Sequence, residues 1–187
     1  VAQDCAAYGS DLYGENSLHL LLESLEKAEG IEWIRLMYCY PENISEKLIK
    51  KMAESKKICK YIDMPVQHGD DRILKLMGRK TTSARIKETV GKLRESIPGI
   101  AIRTSIITGF PGEGEKEFEN LYNFVKDVGF DRLGVFTYSR EENTPAYDMD
   151  GQVDEDVKSR RRDMIMEEQM LISRKKCTEE TGKTISV

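Results

Sequence analysis

No run of apolar residues in this sequence is long enough to cross a membrane, and its first residues lack the charged, apolar and small-residue order of a secretory leader. A membrane-spanning or exported protein is therefore not expected. The four cysteines, Cys5, Cys39, Cys59 and Cys177, match no zinc or iron–sulfur spacing. Reduced thiols in a cytoplasmic protein are the expectation that follows, each structural or incidental by itself and none a metal ligand. No glycine-rich dinucleotide fingerprint follows the first strand candidate. No segment is low in complexity, and no repeat shows beyond an alternation of strand and helix. A formal charge of −4 argues against nucleic-acid binding by the whole surface but leaves room for a local basic patch.

What is present is ordinary for a soluble domain. The 187 residues are 39% hydrophobic and 33% charged, enough for one domain with a real core. The chain opens on Val1, and "VAQDC" reads as the end of a strand whose beginning is missing. "GKTISV" reads as a strand just starting. The expectation is a piece of a longer protein, with a core over residues 1–181 and the start of a following domain at 182–187.

Between these ends the hydrophobic period switches repeatedly. Strands are expected at 1–5, 33–40, 60–67, 100–110 and 131–139. Helices are expected at 18–28 behind Ser17, at 45–55 capped by Asn43 or Ser45, at 70–78, at 82–97 behind Thr82 or Ser83, at 114–129, and at 153–180. "AAYGSDLYGENS" reads as a turn-rich connection. On the last helix Val157, Met164 and Leu171 recur on one face, and "KSRRR" and "SRKK" read as its solvated face. Strands alternating with amphipathic helices mean parallel βαβ units, an α/β fold, and five in a row fit a barrel or partial barrel better than a doubly wound sheet.

In a parallel barrel the site lies at the carboxyl ends of the strands. Those ends carry Gln3 and Asp4, Tyr38 and Tyr40, Gln67 and His68, Gly109 to Glu113, and Tyr138 and Ser139. In "IAIRTSII" the face with Ile100, Ile102, Thr104 and Ile106 should pack on helices, which sends Arg103 to the other side, into the lumen. A charge there needs a partner. Either Asp63 bridges Arg35 and Arg103, or Arg103 faces a ligand carboxylate. In "SIITGFPGEGEKEFE" Gly109 and Gly112 let the backbone approach a ligand, the next helix offers free N–H groups, and Glu113 is placed to cap those groups or bind a hydroxyl. A tight structural turn explains the same residues. His68, alone at a strand end, reads equally as a hydrogen-bonded structural residue, and His19 as incidental.

Three segments, "YIDMPVQHGDDRILKLMGR", "AIRTSIITGFPGEGEKEFE" and "FDRLGVFTYSREENTPAYDM", resemble the radical S-adenosylmethionine methylthiotransferases. Within that family the likeness is to the RimO type, which adds a methylthio group to an aspartate of a small-subunit ribosomal protein. It runs from "VAQD" to "GKTISV". The resemblance implies a partial (β/α)6 barrel of the TIM-like, radical S-adenosylmethionine kind, here without its first strand. It implies S-adenosylmethionine as cofactor, together with 4Fe-4S clusters. Gln3 and Asp4 would then grip the methionine amino group, and Gln67 and His68 the ribose or methionine. Gly109, Gly112 and Glu113 would line the adenosine, Tyr138 and Ser139 the adenine edge, and Arg103 the methionyl carboxylate. The implied reaction abstracts hydrogen from the aspartate β-carbon and places sulfur there, and a second S-adenosylmethionine supplies the methyl group.

The departure from the family is in the cysteines. The family's cluster loop, CxxxCxxC, is absent, and Cys5, Cys39, Cys59 and Cys177 match none of its cluster positions. The chain by itself is expected to be inactive. The sister type, acting on transfer-RNA adenosine, shares "GFPGE", and a non-catalytic binding domain is a further alternative. A barrel enzyme for phosphorylated metabolites is disfavoured by the carboxylate of Glu113. An unpaired strand edge at 1–5 would invite self-association.

Overall fold

Four strands line up in chain order in one parallel sheet, and the helices between them cover a single face. The computed structural model describes residues 3–184. A 3-10 turn (Cys5–Ala7), α1 (Ser10–Tyr13) and α2 (Leu18–Lys27) precede β1 (Ile34–Leu36). A second 3-10 turn (Pro41–Asn43) and α3 (Glu46–Glu54) lead to β2 (Ile58–Asp63). Two helices, α4 (Asp71–Leu76) and α5 (Ser83–Ser96), lead to β3 (Ala101–Thr108). Then come α6 (Glu115–Val128), β4 (Arg132–Thr137) and α7 (Glu155–Glu179). The order β1-β2-β3-β4 has no reversal, so the sheet is a barrel segment and lacks the switch point of a doubly wound fold.

The alternation in β3 decides which face is inside. Ile102, Thr104, Ile106 and Thr108 are buried while Ala101, Arg103, Ser105 and Ile107 are partly open. With Ile62, Leu121, Val125, Phe130 and Ile165 they form a continuous core, each large apolar side chain contributing about 1.5–3 kcal/mol on burial. The helices lie side by side over that face, α2 on α3, α3 on α5, α5 on α6 and α6 on α7. Register pairs Asp63 with Arg103 and Arg103 with Arg132, so the opposite, open face carries a row of charged residues.

Several helix starts are set as expected. Ser45 Oγ accepts from Leu48 N at 3.2 Å, and Thr82 Oγ1 accepts from Arg85 N at 3.2 Å. Ser17 precedes α2 but its hydroxyl turns back to Glu15 O. The turn-rich connection contains a single helical turn, α1, bounded by left-handed Gly9 and Gly14.

The strands are shorter than expected, for identifiable reasons. The strand expected at 33–40 stops at Leu36, because Tyr38 takes φ +57° and gives its N–H to the Asp63 carboxylate. The one expected at 60–67 stops at Asp63; Pro65 has no N–H to offer, and Gln67 at φ +71° rejoins β3 only through a single bridge. No strand forms over Gln3–Cys5, where Asp4 instead caps a 3-10 turn. Val1, Ala2 and residues 185–187 lie outside the described residues, so the expected edge at 1–5 and the domain start at 182–187 fall partly on them.

Helix α7 corrects the sequence reading of its faces. Met164 and Leu171 are exposed, whereas Lys158, Arg161, Ile165 and Gln169 are buried. The buried face is mostly polar because it docks on backbone carbonyls and, through Arg161, on the carboxylates of Glu113 and Glu115. Lys158 Nζ donates to Tyr138 O at 3.0 Å, and Gln169 Nε2 to Phe130 O at 3.0 Å.

Gly109 is where α7 meets the end of β3. Its φ is +71°, and a Cβ there would overlap the Lys158 side chain. Gly109→Ala is therefore expected to lower stability by roughly 2 kcal/mol or more, since left-handed strain and overpacking add. Gly30→Ala, at φ +79° with open space around it, should lose only about 1 kcal/mol. Urea unfolding of both variants checks the difference.

Candidate functional site

The strand exits of β2, β3 and β4 enclose a cleft on the open face of roughly 280 Å³, lined by Tyr38, Pro65, Gln67, Ser105, Ile107, Phe136, Thr137, Tyr138 and Ser139. Its walls are fixed by backbone contacts. Gln67 N donates to Ser105 O at 3.0 Å and Ile107 N donates to Gln67 O at 2.8 Å, which holds the left-handed Gln67 against β3. Tyr138 packs edge-on against Phe110 at 5.3 Å between centroids, in a small apolar cluster with Ile73 and Ile107. Its hydroxyl is buried without a protein partner. Phe136 stands 58% exposed in the same cleft.

Further down the open face, Arg103 Nη1 donates to Asp63 Oδ1 at 2.6 Å. Asp63 is fully buried, and its other oxygen takes the Tyr38 N–H at 3.3 Å. The Asp63 carboxylate holds the Arg103 guanidinium above its usual range. The Arg103 side chain is 37% exposed, so the rest of its fork faces outward. Half of the expected bridge is present. Arg35 does not join Asp63; it lies over the Tyr61 ring at 4.7 Å.

Behind the cleft is a buried polar knot. Asp70 N donates to His68 Nδ1 at 2.9 Å, which leaves the proton on Nε2, and Nε2 donates to Glu113 Oε2 at 3.0 Å. The same oxygen accepts from Gly109 N at 3.0 Å, while Arg161 Nη1 donates to Glu113 Oε1 at 2.9 Å and to Glu113 O at 2.8 Å. The side chains of His68 and Glu113 are wholly buried and that of Arg161 is 4% exposed. Glu113 therefore does not cap α6; the Glu117 carboxylate does that, accepting from Gly114 N at 3.0 Å.

The sequence-predicted residues thus fall into three groups. Gln67, Tyr138 and Ser139 line the cleft, and Arg103 sits lower on the same face. His68, Glu113, Gly109 and Gly112 make the knot and its turn, with Gly112 N bonded to Gly151 O at 2.8 Å. Gln3 is exposed beside Asp4, whose carboxylate accepts from Ala6 N, Tyr40 N and Asn43 Nδ2 and so ties the first segment to the exit of β1. Sequence reasoning missed Arg161, Lys158, Ser105 and Phe136. No local signal pointed to Arg161, because the burial of Glu113 cannot be read from the neighbouring residues, which include Lys116.

Among the described residues no three His, Cys, Asp or Glu side chains gather to hold a metal ion. Cys39 is buried, Cys177 is exposed, and Cys5 and Cys59 are intermediate. These thiols do not fit the four-iron cluster that the resemblance implies. The open cleft, with the exposed Phe136 ring, and the outward-facing guanidinium lower on the same face do fit a ligand that has an aromatic end and a carboxylate.

Comparison with known proteins agrees with the fold. Residues 7–125 match the radical SAM superfamily. The chain is 54% identical over 176 residues to the ribosomal protein uS12 methylthiotransferase RimO of Acetivibrio thermocellus, covering 94% of this chain and 39% of that protein. It is 50% identical over 187 residues to the protein of the same name from Clostridium botulinum strain Hall, covering 100% of this chain and 42% of that protein. The chain therefore spans about two fifths of the length of the curated relatives it matches. Among solved structures, coproporphyrinogen III oxidase (HemN) from Escherichia coli superposes with TM-score 0.61 at 18% identity, over 84% of this chain and 36% of that one. The radical S-adenosylmethionine methyltransferase TsrM from Kitasatospora setae superposes with TM-score 0.57 at 18% identity, over 70% of this chain and 26% of that one.

Two outcomes follow from the knot and its neighbour. Glu113→Gln should lower stability by about 3 kcal/mol by removing the buried carboxylate of Arg161 and leaving it only that of Glu115, exposed and 2.8 Å from Nη2, and Glu113→Gln with Arg161→Met should lose less than the sum of the single changes, as read by urea unfolding. Burial raises the pKa of Asp70, but the Asn120 amide and the N–H groups of Ile73 and Arg72 outweigh it and hold the pKa below the ordinary range. Its stabilisation is then present above about pH 4 and lost as pH falls through the lowered folded value. Asp70→Asn should flatten that acid limb in melts run from neutral pH downward.

Proposed function

The chain belongs to the radical SAM superfamily, and we propose that its open sheet face is one wall of the S-adenosylmethionine chamber of a methylthiotransferase that modifies an aspartate of ribosomal protein uS12 in the cytoplasm. The observation that carries this is the cleft at the strand exits, where an apolar end and polar groups converge above an arginine with free donors. Identity of 50–54% over 94–100% of this chain to two proteins named as ribosomal protein uS12 methylthiotransferases supports the choice of a ribosomal protein over transfer RNA as substrate.

The residues divide the work by chemistry. Tyr138 and Ile107 line the cleft as an apolar surface for adenine, and Ser139 offers a polar group at its edge. The Gln67 amide and the Ser105 hydroxyl face the ribose. The outer edge of Arg103 takes the methionyl carboxylate as a charge-assisted pair, with Asp63 fixing its orientation. Gln3, at the rim, offers its amide near the methionine amino group, and Asp4 sets that rim. His68 and Glu113, held away from solvent, fix the backbone at Gly109 behind the ligand. S-adenosylmethionine supplies the reactive carbon centre and the methyl group in this family. The thiols of this chain do not fit the cluster that reduces it, so the chain alone binds without turnover.

Calorimetric titration of the chain with S-adenosylmethionine tests the assignment. Binding is expected, with Kd raised about tenfold or more in Arg103→Ala and in Tyr138→Ala, the loss expected for one charged or stacked contact. Circular dichroism of each variant establishes that it is folded. Absence of binding, or binding that neither substitution weakens, contradicts the proposal.

A further inference from the structure

Two of the four cysteines are neighbours although 34 positions separate them in sequence. Cys5 N donates to Tyr38 O at 2.7 Å, so Cys39, the next residue, lies alongside Cys5. Standard backbone lengths across such a bond put the two Cα atoms about 5 Å apart, within the roughly 4.4–6.8 Å that disulfides span. The juxtaposition is held by a second contact, because Asp4 Oδ1 accepts from Tyr40 N at 3.0 Å across the same two segments. The side chains share an environment as well. Cys39 is fully buried in the main core, and Cys5 is partly buried against that core. Burial pushes both thiols up, that of Cys39 to about 12 with the nearby Cys5 as the next cause, and that of Cys5 with Asp4 as the next cause. Cys59, low on β2, and Cys177, exposed in the last turn of α7, have no such neighbour among the described residues.

We propose that Cys5 and Cys39 are a thiol pair that a hydroperoxide closes into a disulfide, with Cys5 oxidised first and Cys39 resolving it. Cys5 is the member with access to solvent. Its sulfur attacks one oxygen of the peroxide, the O–O bond breaks, the thiol proton leaves with the second oxygen, and Cys5 becomes a sulfenic acid. The Cys39 sulfur then attacks the Cys5 sulfur, and the sulfenic hydroxyl departs as water with the Cys39 proton. The pair gives up two electrons and two protons, and the peroxide accepts both. Cys39 needs no solvent access for this step, which suits its burial. The bond would tie the Gln3–Ala7 segment to Tyr38, a wall of the cleft, so oxidation would stiffen the rim of the ligand site.

The test uses the whole chain with Cys59→Ser and Cys177→Ser, treated with hydrogen peroxide, then denatured and alkylated. The expected product has lost the mass of two hydrogens, takes up no iodoacetamide, yields a peptide joining Cys5 to Cys39, and reverts with dithiothreitol. Adding Cys5→Ser should leave Cys39 reduced and fully alkylated. Full alkylation of both thiols after peroxide overturns the proposal. So does a Cys5 sulfinic acid beside a free Cys39, or a cross-link joining two chains.

Discussion

The carboxylate of Glu113 is the point on which three parts of the molecule converge. It is wholly buried, and it receives His68 from the exit of β2, Gly109 N from the exit of β3, and Arg161 from α7. An ionised carboxylate in such a place persists only if donors fill its lone pairs and a cation balances it, and removing the cation costs about 3–5 kcal/mol. His68 is oriented through Asp70 N, and Arg161 supplies the guanidinium that balances the carboxylate. That requirement brings a basic residue of a distant helix over the strand ends. With it comes Lys158, whose stem fills the space a Cβ at Gly109 would need. The turn that reads as a ligand cradle is also the seat of α7.

Closure on that side leaves the other side of the sheet free for chemistry. The core face of β3 is apolar or hydroxyl-bearing and fully covered, while the open face presents Arg103, Ser105 and Ile107. Parallel sheets are ordinarily buried on both faces, so an open face with an ion pair low down and aromatic and polar groups at the exits leaves the surface that the proposed ligand would cover. The positive φ of Tyr38 and of Gln67 falls on two of its residues, and backbone held in that region persists where neighbouring contacts over-determine it. Here those contacts are the Asp63 carboxylate for Tyr38 and the two hydrogen bonds to β3 for Gln67.

Helix positions were legible in the sequence because amphipathic period and caps are local properties. The helix expected at 82–97 forms over Ser83–Ser96, and the one expected at 114–129 over Glu115–Val128. The direction of Arg103 followed from strand alternation, and its pairing with Asp63 is part of one of the two outcomes expected for a charge placed there. What failed was long-range or polar. The early end of β1 depends on a carboxylate 25 residues away, and the inward face of α7 is a row of lysine, arginine and glutamine that periodicity assigns to solvent. Arg35 was expected to reach Asp63 and instead stacks on Tyr61, a cross-strand choice that alternation does not resolve. Of the site, the exits at Gln67, Tyr138 and Ser139 were readable, but the burial of His68 and Glu113 required knowing where Arg161 lands.

Amide hydrogen exchange of the chain with and without S-adenosylmethionine tests most directly the claim that the open face is the ligand wall. The account predicts slowed exchange at residues 66–68, 105–109 and 136–140, with the outer surfaces of α3 and α5 unchanged. Protection confined to the groove between α6 and α7, or no protection at a saturating concentration, would contradict it.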